Sequence, residues 1–384
     1  MKVKLVSTEE ELQGLKEQWN RLVSSNPSTD YVFYSWEWFF YSWKYAGSPE
    51  LFVVIALEND ELVGILPLLR TTVKRRGLKV RSLAFCPNGN TPRNDIYVSS
   101  RENNKQIIES IFEYLREIQR KWDMIQLANI EQSTVLYSEL TAQNTTFAFS
   151  RIIETTGRTS PYANLASAES FDDYLLKHIK PRRRTQIRHD IKRLDNTSKP
   201  WFVKHYTNTE QYADGNRYLM QVRERSWKST PSKAFRNFVT NVCHDSYFDG
   251  KIHIAILFLE DVPIAGQFYL LKNGKSHLCL VDHDQAYHES LTPGSNLTTF
   301  MLQFAFEQHW SMLDFAGDAY VYKKRLSTDI FYHSTFQIFH SGLKSRLIHW
   351  GKTSVLPWIR KLMAKKEQSN EQLNEQKASS EKTG

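Results

Sequence analysis

Residues 51–69 read LFVVIALENDELVGILPLL, and residues 252–271 read IHIAILFLEDVPIAGQFYLL. Each stretch consists of an apolar strand, a short acidic turn and a second apolar strand, a pattern that predicts a β-hairpin. The alignment puts Glu58 opposite Glu260 and Gly64 opposite Gly266. Two such hairpins in one chain indicate an internal repeat, and the repeat decides the fold.

The similarity continues downstream of the hairpins. A further strand follows each one, SLAF at 82–85 and HLCLV at 277–281. A segment with helical periodicity and a short apolar strand come next, WDMIQLA at 122–128 and WSMLDFA at 310–316. Because a hairpin is followed by a strand–helix–strand crossover, a mixed sheet is expected. We therefore predict an α/β (α+β) fold of two tandem domains, each a mixed, mostly antiparallel sheet flanked by helices.

Composition indicates a globular protein without disulfide bonds or a zinc site. The chain has 384 residues, 41% of them hydrophobic and 24% charged, which is typical of a globular protein with room for two domains. Its three cysteines lie far apart, so we expect no disulfide framework, no zinc site and a cytoplasmic location. A net charge of +8 favours anionic partners without choosing among them.

The segment TPGSN at 292–296 follows an apolar strand and a polar loop and opens the helix of the second repeat. Proline and glycine at a helix start permit close approach of a ligand, and the helix end carries partial positive charge. Such an end binds phosphate. The alternative is an ordinary helix start. In the first half VSSRENNKQ (98–106) takes this place, which indicates that the first copy is non-catalytic.

The loop after the last apolar strand, DFAGDAYVYKKR at 314–325, is dense in ionisable residues. Acyl transfer needs a base for the acceptor proton and an acid for the leaving group. We predict Asp318 as the base, Tyr322 as the acid and Lys323 as the charge that offsets the developing oxyanion. The alternative is a solvated basic loop.

Two further groups of charged residues are candidates. Asp282 and Asp284 flank His283, and we assign Asp282 a catalytic or acceptor-binding role, whereas three adjacent residues chelate a metal poorly. The basic segment 180–193 places Arg184 and Arg188 on one helical face, where they could bind phosphates. A solvated helix face is the alternative for this segment.

The order of these features resembles the CelD-like acetyltransferases, which are similar to the FemAB transferases of the GNAT superfamily. The hairpin residues ILPLL (65–69), VDHDQAYHESLTPGSNL (281–297), LDFAGDAYVYKKRL (313–326) and the basic segment carry the resemblance, over roughly residues 5–340. It implies two GNAT-like domains with acetyl-CoA or another acyl-CoA bound in the second. It also implies that Pro293, Gly294, Ser295 and Asn296 hold the CoA pyrophosphate. Gly317, Tyr322 and Lys323 match a loop that closes over the site.

These patterns predict three regions in the chain. Residues 1–155 form an N-terminal GNAT-like domain, residues 156–345 a C-terminal domain with the acyl-CoA site, and residues 346–384 a basic amphipathic segment and a disordered tail. Between the halves, residues 171–194 predict helix with a break at Pro181. Residues 343–366 interleave apolar and basic side chains, which suits either a membrane surface at the inner face or packing on the second domain.

The predicted function is N- or O-acyl transfer from acyl-CoA, without a metal, to a cell-envelope or polysaccharide precursor. The polysaccharide link is an implication of the resemblance alone. Two alternatives stay open, a Fem-type transferase that uses charged tRNA for peptidoglycan, and a non-catalytic protein that binds an anionic ligand. Binding of CoA or of tRNA distinguishes the first alternative, and sensitivity to salt distinguishes the second.

Overall fold

The computed structural model describes residues 1–47, 49–75, 78–86, 91–99, 103–142, 151–228 and 230–355. The predicted tail at 365–384 and most of the amphipathic segment lie outside these ranges. The first half contains, in order, β1 (Lys2–Val6), α1 (Glu9–Gln13), α2 (Lys16–Ser25), α3 (Trp36–Lys44), β2 (Glu50–Glu58), β3 (Glu61–Arg75), β4 (Leu78–Phe85), β5 (Tyr97–Val98), α4 (Asn104–Glu117), β6 (Met124–Glu131), α5 (Val135–Thr141) and β7 (Arg151–Asn164).

The second half repeats this order after two additional helices. It contains α6 (Phe171–His178), α7 (Pro181–Asp195), β8 (Trp201–Tyr206), α8 (Thr209–Glu224), α9 (Lys233–His244), β9 (Ile252–Leu259), β10 (Val262–Lys272), β11 (Lys275–His283), α10 (His288–Leu291), α11 (Pro293–Glu307), β12 (Met312–Asp314), α12 (Val321–Lys324), β13 (Asp329–Phe339) and α13 (Leu343–Trp350). The expected break at Pro181 is confirmed, because α6 ends before it and Pro181 occupies the first turn of α7.

Within the described residues the strands form one mixed sheet in the order β1-β2-β3-β4-β6-β13-β7-β12-β11-β10-β9-β8, with β5 beside β3. Helices flank this sheet, so the predicted α/β class with a mixed sheet is confirmed. The last strand of each half pairs with the other half: β7 pairs with β12, and β13 pairs with β6. The predicted boundary between residues 155 and 156 falls inside β7.

The turns of the two hairpins show how the repeats superpose. Asn59 and Glu260 are both the first residue of a two-residue turn, and both have a left-handed backbone, with φ of 51° and 54°. Asn59 is thus the equivalent of Glu260, one residue away from the sequence alignment. Because successive side chains of a strand face opposite sides, this shift moves Gly64 and Gly266 to opposite faces of the sheet.

The apolar cores join the halves on one face and separate them on the other. On the shared face α2, α3, α8 and α9 cover one continuous cluster, in which the Trp38 ring meets the Phe238 ring at 5.1 Å. On the opposite face α4 covers one cluster, and α11 with α6 and α7 covers another. Each fully buried large apolar side chain contributes about 1.5–3 kcal/mol, so the shared core binds the halves strongly together.

Candidate functional site

The helix α11 begins at a tight turn on Thr292. The Thr292 backbone is left-handed, with φ of 46°, and Pro293 follows at the first helical position, where its missing N–H costs nothing. The amides of Ser295 and Asn296 both donate to the Thr292 carbonyl, at 3.0 and 3.1 Å. The positive end of the helix dipole therefore lies beside the end of β11.

Gly294 permits this close packing. A Cβ atom at Gly294 would lie 3.0 Å from Nδ1 of His283, the last residue of β11. A larger residue would press on the His283 ring, so glycine favours the close approach of α11 to β11, whatever ligand binds there. The His283 ring also stacks on the His288 ring, with centroids 4.7 Å apart, next to the turn at Thr292.

The side chains of Ser295 and Asn296 have different surroundings. Ser295 Oγ accepts a hydrogen bond from Arg183 of α7 at 3.0 Å. The buried Asn296 amide instead donates to the carbonyls of Leu291, at 2.9 Å, and Asp190, at 3.2 Å. Asn296 therefore fixes α11 against α7, and Ser295 with Arg183 forms the polar surface at the helix end.

The structure separates the arginines of the basic segment. Arg184 donates from Nη1 to the carbonyls of Leu175, Leu176 and Ile179, and so caps the end of α6. Arg188 is exposed on the outer side of α7. Arg183, which the sequence did not single out, is the arginine beside α11, and burial lowers its pKa.

Beyond β12 the chain turns sharply around Lys323. Ala316 and Gly317 both have left-handed backbones, with φ of 45° and 58°. The Lys323 ammonium donates to the Ala316 carbonyl, and a Cβ on Gly317 would lie 3.3 Å from Lys323 Nζ. Lys323 is buried, and burial lowers its pKa to about 8. An amine with this pKa changes charge close to neutral pH.

Asp318 and Tyr322 occupy the same loop in different environments. Asp318 is exposed and forms an ion pair with Arg158 of β7 at 3.2 Å. Tyr322 is half-buried, and burial raises its pKa to about 12, so the phenol keeps its proton at neutral pH. The Tyr320 ring stacks beside it at a centroid distance of 6.3 Å.

Asp282 is a buried carboxylate with two cationic partners. Its oxygens lie 3.1 Å from Arg223 of α8 and 3.1 Å from Lys228. Asp284 accepts a hydrogen bond from Arg225 at 2.6 Å. Asp282 and Asp284 therefore link the end of β11 to α8 and to the residues that follow it. Because Asp282 is engaged in two ion pairs, it is poorly placed to act as a free base.

A buried ionic cluster that the sequence did not reveal joins the two halves. The guanidinium of Arg93 pairs with Glu131 at the end of β6 and with Asp314 at the end of β12. His277 Nδ1 of β11 lies 3.0 Å from the same Asp314 carboxylate. Burial opposes ionisation of Asp314, but Arg93 and His277 outweigh it and lower its pKa to about 2. The sequence signal for this cluster was a polar residue in each of two apolar strands, His277 in HLCLV and Asp314 in LDFA.

Next to this cluster β12 ends, whereas β11 continues. β11 and β12 pair in parallel only from Lys275 to His277 with Met312 to Asp314, while β11 continues to His283. In the described residues, β11 therefore has no strand neighbour on this side beyond His277, and the Lys228 ammonium donates to the Val281 carbonyl within this stretch.

On the first-half side of Arg93 lies a cavity of about 140 Å³. Tyr31, Tyr34, Asp95 and Glu131 line it, and burial raises the pKa of Asp95 to about 8. A wider cleft of about 860 Å³ lies at the outer edge of the first half, around Glu50 and Lys121. That cleft is open and distant from the polar clusters, so we give it no role.

In the described ranges, no group of three or more His, Cys, Asp or Glu side chains is placed to hold a metal ion. Nor does any helix in those ranges have the length and apolar character to cross a membrane.

Comparison with known proteins gives the class. Residues 181–324 match the profile of the family described as acetyltransferase (GNAT) domain. The solved structure of FemX superposes with a TM-score of 0.60 at 14% identity, covering 91% of this chain and all of that one. A conserved protein of unknown function from Bacteroides thetaiotaomicron gives 0.53 at 11% identity, covering 88% and 100%. No curated protein matches the chain by sequence.

The second half thus carries a GNAT acetyltransferase domain, and by class the protein is an acyltransferase. The match covers β11, α11 and the Lys323 loop, which are the elements that build the site. At identities this low the solved structures show the fold alone. The roles of individual site residues stay predictions.

Proposed function

We propose that the protein transfers an acyl group directly from an acyl-CoA to an amine or hydroxyl of a cell-envelope or polysaccharide precursor. The observation that carries the proposal is that β11 extends beyond its pairing with β12 and ends beside the start of α11, where Gly294 lies against His283. A pantetheine arm is extended and contains amides, so it can pair with a free strand edge as a peptide does. The CoA phosphates would then lie at the α11 dipole beside Arg183 and Ser295.

The chemistry follows from the loop beyond β12. The acceptor attacks the thioester carbonyl, its proton passes to a base, and the carbon–sulfur bond breaks to release the CoA thiolate. The Lys323 ammonium offsets charge on the oxyanion, and Tyr322, which keeps its proton, is the acid for the thiolate. Asp318, which is exposed, is the proposed base, while the paired Asp282 would position Arg223 and Lys228.

The acceptor would approach from the first half. The Arg93 cluster places the 140 Å³ cavity beside the end of β12, where the acyl carbonyl would lie. This arrangement supports a site to which both repeats contribute, with the acyl donor held by the second and the acceptor by the first. The CelD-like assignment, the envelope acceptor and a location at the inner membrane face are parts of the same proposal.

The test is calorimetric binding of acetyl-CoA and longer acyl-CoAs to the wild-type protein and to Ser295→Asp. Aspartate in a first helical turn is compatible with the helix, but its charge opposes a phosphate. We expect affinity to fall at least tenfold. Thr8→Asp, which places the same charge at the start of α1, should bind like the wild type. Substitution of Ser295 is preferred to substitution of Gly294, which would clash with His283.

The fold shared with FemX favours a second candidate, an aminoacyl transfer from charged tRNA. Absence of acyl-CoA binding at millimolar ligand, together with salt-sensitive binding of charged tRNA, would replace the first proposal with this one. Binding of acyl-CoA that Ser295→Asp leaves unchanged would remove the α11 site while keeping the donor.

A further inference from the structure

The helix α13 presents an apolar stripe to solvent. Leu343, Leu347 and Trp350 are 73%, 50% and 58% exposed. Their spacing of four and three residues puts them on one side of the helix, within an arc of about 60°. Single exposed apolar residues are common on protein surfaces, but three aligned on one helix mark an interaction surface.

The opposite side of α13 holds the helix on the protein. Ser345, directly behind the stripe, is buried and accepts a hydrogen bond from the His340 amide at 3.0 Å. Lys344 donates to Asp123 at 2.7 Å, and the His349 ring packs against Phe339 at 5.2 Å. The stripe residues therefore take no part in anchoring the helix, and their exposure does not reflect a detached segment.

The surroundings of the stripe are basic. Asp123, the acidic group beside α13, is already paired with both Lys344 and Arg81. Arg346 flanks the stripe and is exposed. The stretch 343–366 contains no Asp or Glu, and its basic residues are Lys344, Arg346, Lys352, Arg360, Lys361, Lys365 and Lys366. Apolar side chains within a basic rim are complementary to an anionic lipid surface.

We propose that α13 docks the protein on a bilayer that contains anionic phospholipid. The charge argues against a second copy of this chain. In a symmetric dimer the same surface meets itself, so the basic rims would repel each other.

Docking at α13 leaves the acyltransferase site free. The site lies near the start of β13, because Asp329 and Asp314 pair with the same residue of β7, and α13 follows the end of β13. At about 3.3 Å per residue, this strand separates them by roughly 30 Å. Membrane docking does not depend on the identity of the acyl donor, so the CoA-binding experiment does not decide it.

The experiment is sedimentation of the full chain with vesicles of phosphatidylcholine alone and with equal parts phosphatidylglycerol. We expect binding to the mixed vesicles that weakens as salt rises, and weaker binding to phosphatidylcholine. A variant with Leu343→Gln, Leu347→Gln and Trp350→Gln should bind the mixed vesicles at least tenfold less. Glutamine is a good helix former, so α13 should persist, and an unchanged urea midpoint checks this.

A matched control replaces exposed apolar residues elsewhere, Leu176→Gln with Val262→Gln, and should bind like the wild type. The proposal is overturned if the wild type ignores mixed vesicles or if the stripe variant binds them equally well. It is also overturned if the wild type binds both vesicle types equally. A wild-type dimer that the stripe variant converts to monomer, without vesicle binding, would assign the stripe to a second copy.

Discussion

Lys323 combines burial, a carbonyl partner and a pKa near 8, and these properties give a prediction at the scale of one residue. Lys323→Met should lower kcat/KM at least 100-fold if Lys323 has its proposed role, since it removes the charge proposed to offset the oxyanion. In the wild type, kcat/KM should fall as pH rises through about 8, because the ammonium loses its proton there. A pH profile of acyl transfer measures both effects, and Lys324→Met, an exposed neighbour, is the control.

Deprotonation of Lys323 should change stability in the opposite direction to activity: as pH rises, activity should fall and stability should increase. The folded protein releases the Lys323 proton near pH 8, whereas the unfolded chain keeps it to the ordinary lysine value of 10.5. The wild-type free energy of unfolding should therefore gain about 2 kcal/mol from Lys323 between pH 7 and pH 9.5. Urea unfolding of Lys323→Met should lack this gain. Equal pH dependence in both proteins would show that the amine is solvated.

Asp95 gives a second prediction at this scale. Burial raises its pKa to about 8 from 3.8, so the folded state holds a proton that the unfolded state has lost. Stability from this group is present below pH 4 and is lost as pH rises towards 8. Asp95→Asn should therefore become more stable than the wild type by a few kcal/mol between pH 4 and pH 8. Asp60→Asn, in the exposed hairpin turn, should show no such trend in urea unfolding.

The sequence could predict which residue types gather at the site but not which of them face it. The run at 180–193 contains several arginines, and only the fold shows that Arg184 caps α6 while Arg183 reaches Ser295. Adjacent arginines on a helix point about 100° apart, so the choice depends on how α7 packs. Asp282 likewise could be placed at the end of a strand, but its two cationic partners come from distant residues.

At the scale of elements, substitution of Gly64 tests how the first hairpin packs against α4. A Cβ there would lie 2.5 Å from Ile107 Cγ2 and 3.2 Å from Ile111 Cδ1 of α4. Gly64→Ala should therefore lower the free energy of unfolding by about 1–3 kcal/mol. Gly14→Ala is the control, since its Cβ would be 3.6 Å from the nearest atoms and φ is −62°. That variant should be neutral or slightly stabilised in urea unfolding.

The hairpins, both crossover helices and the break at Pro181 follow from local patterns, and the structure confirms them. Of the residues that share one face in sequence, Ile107, Ile108, Ile111, Phe112 and Leu115 are buried, whereas Ile118 follows the helix and is partly buried. The alignment of the repeats was wrong by one residue because it matched glycine with glycine. Only the turn conformations at Asn59 and Glu260 reveal the register, and side-chain identity alone does not report a backbone angle.

At the scale of the whole molecule, the exchange of β7 and β13 could not be predicted from the repeat. β7 and β13 are each the last strand of their repeat, so the repeat alone predicts that each pairs with strands of its own half. The choice between partners depends on pairing across long separations, such as Phe336 with Leu127 and Ala163 with Leu313. The buried bridge from Arg93 to Asp314 and the shared core on one face depend on the same exchange.

These connections predict that the two halves unfold together. Urea unfolding followed by tryptophan fluorescence and by far-UV circular dichroism should give one coincident transition, because neither half can lose its strands without exposing the other. A fragment of residues 1–142 should not fold alone, since β6 would lose β13 and the shared core would be open. Arg93→Met should lower the midpoint by removing the cation that Asp314 and Glu131 share, at a cost of about 3–5 kcal/mol, yet keep one transition. Two separate transitions in the wild type, or a folded 1–142 fragment, would mean that each repeat is an independent domain and that the exchanged strands contribute little to stability.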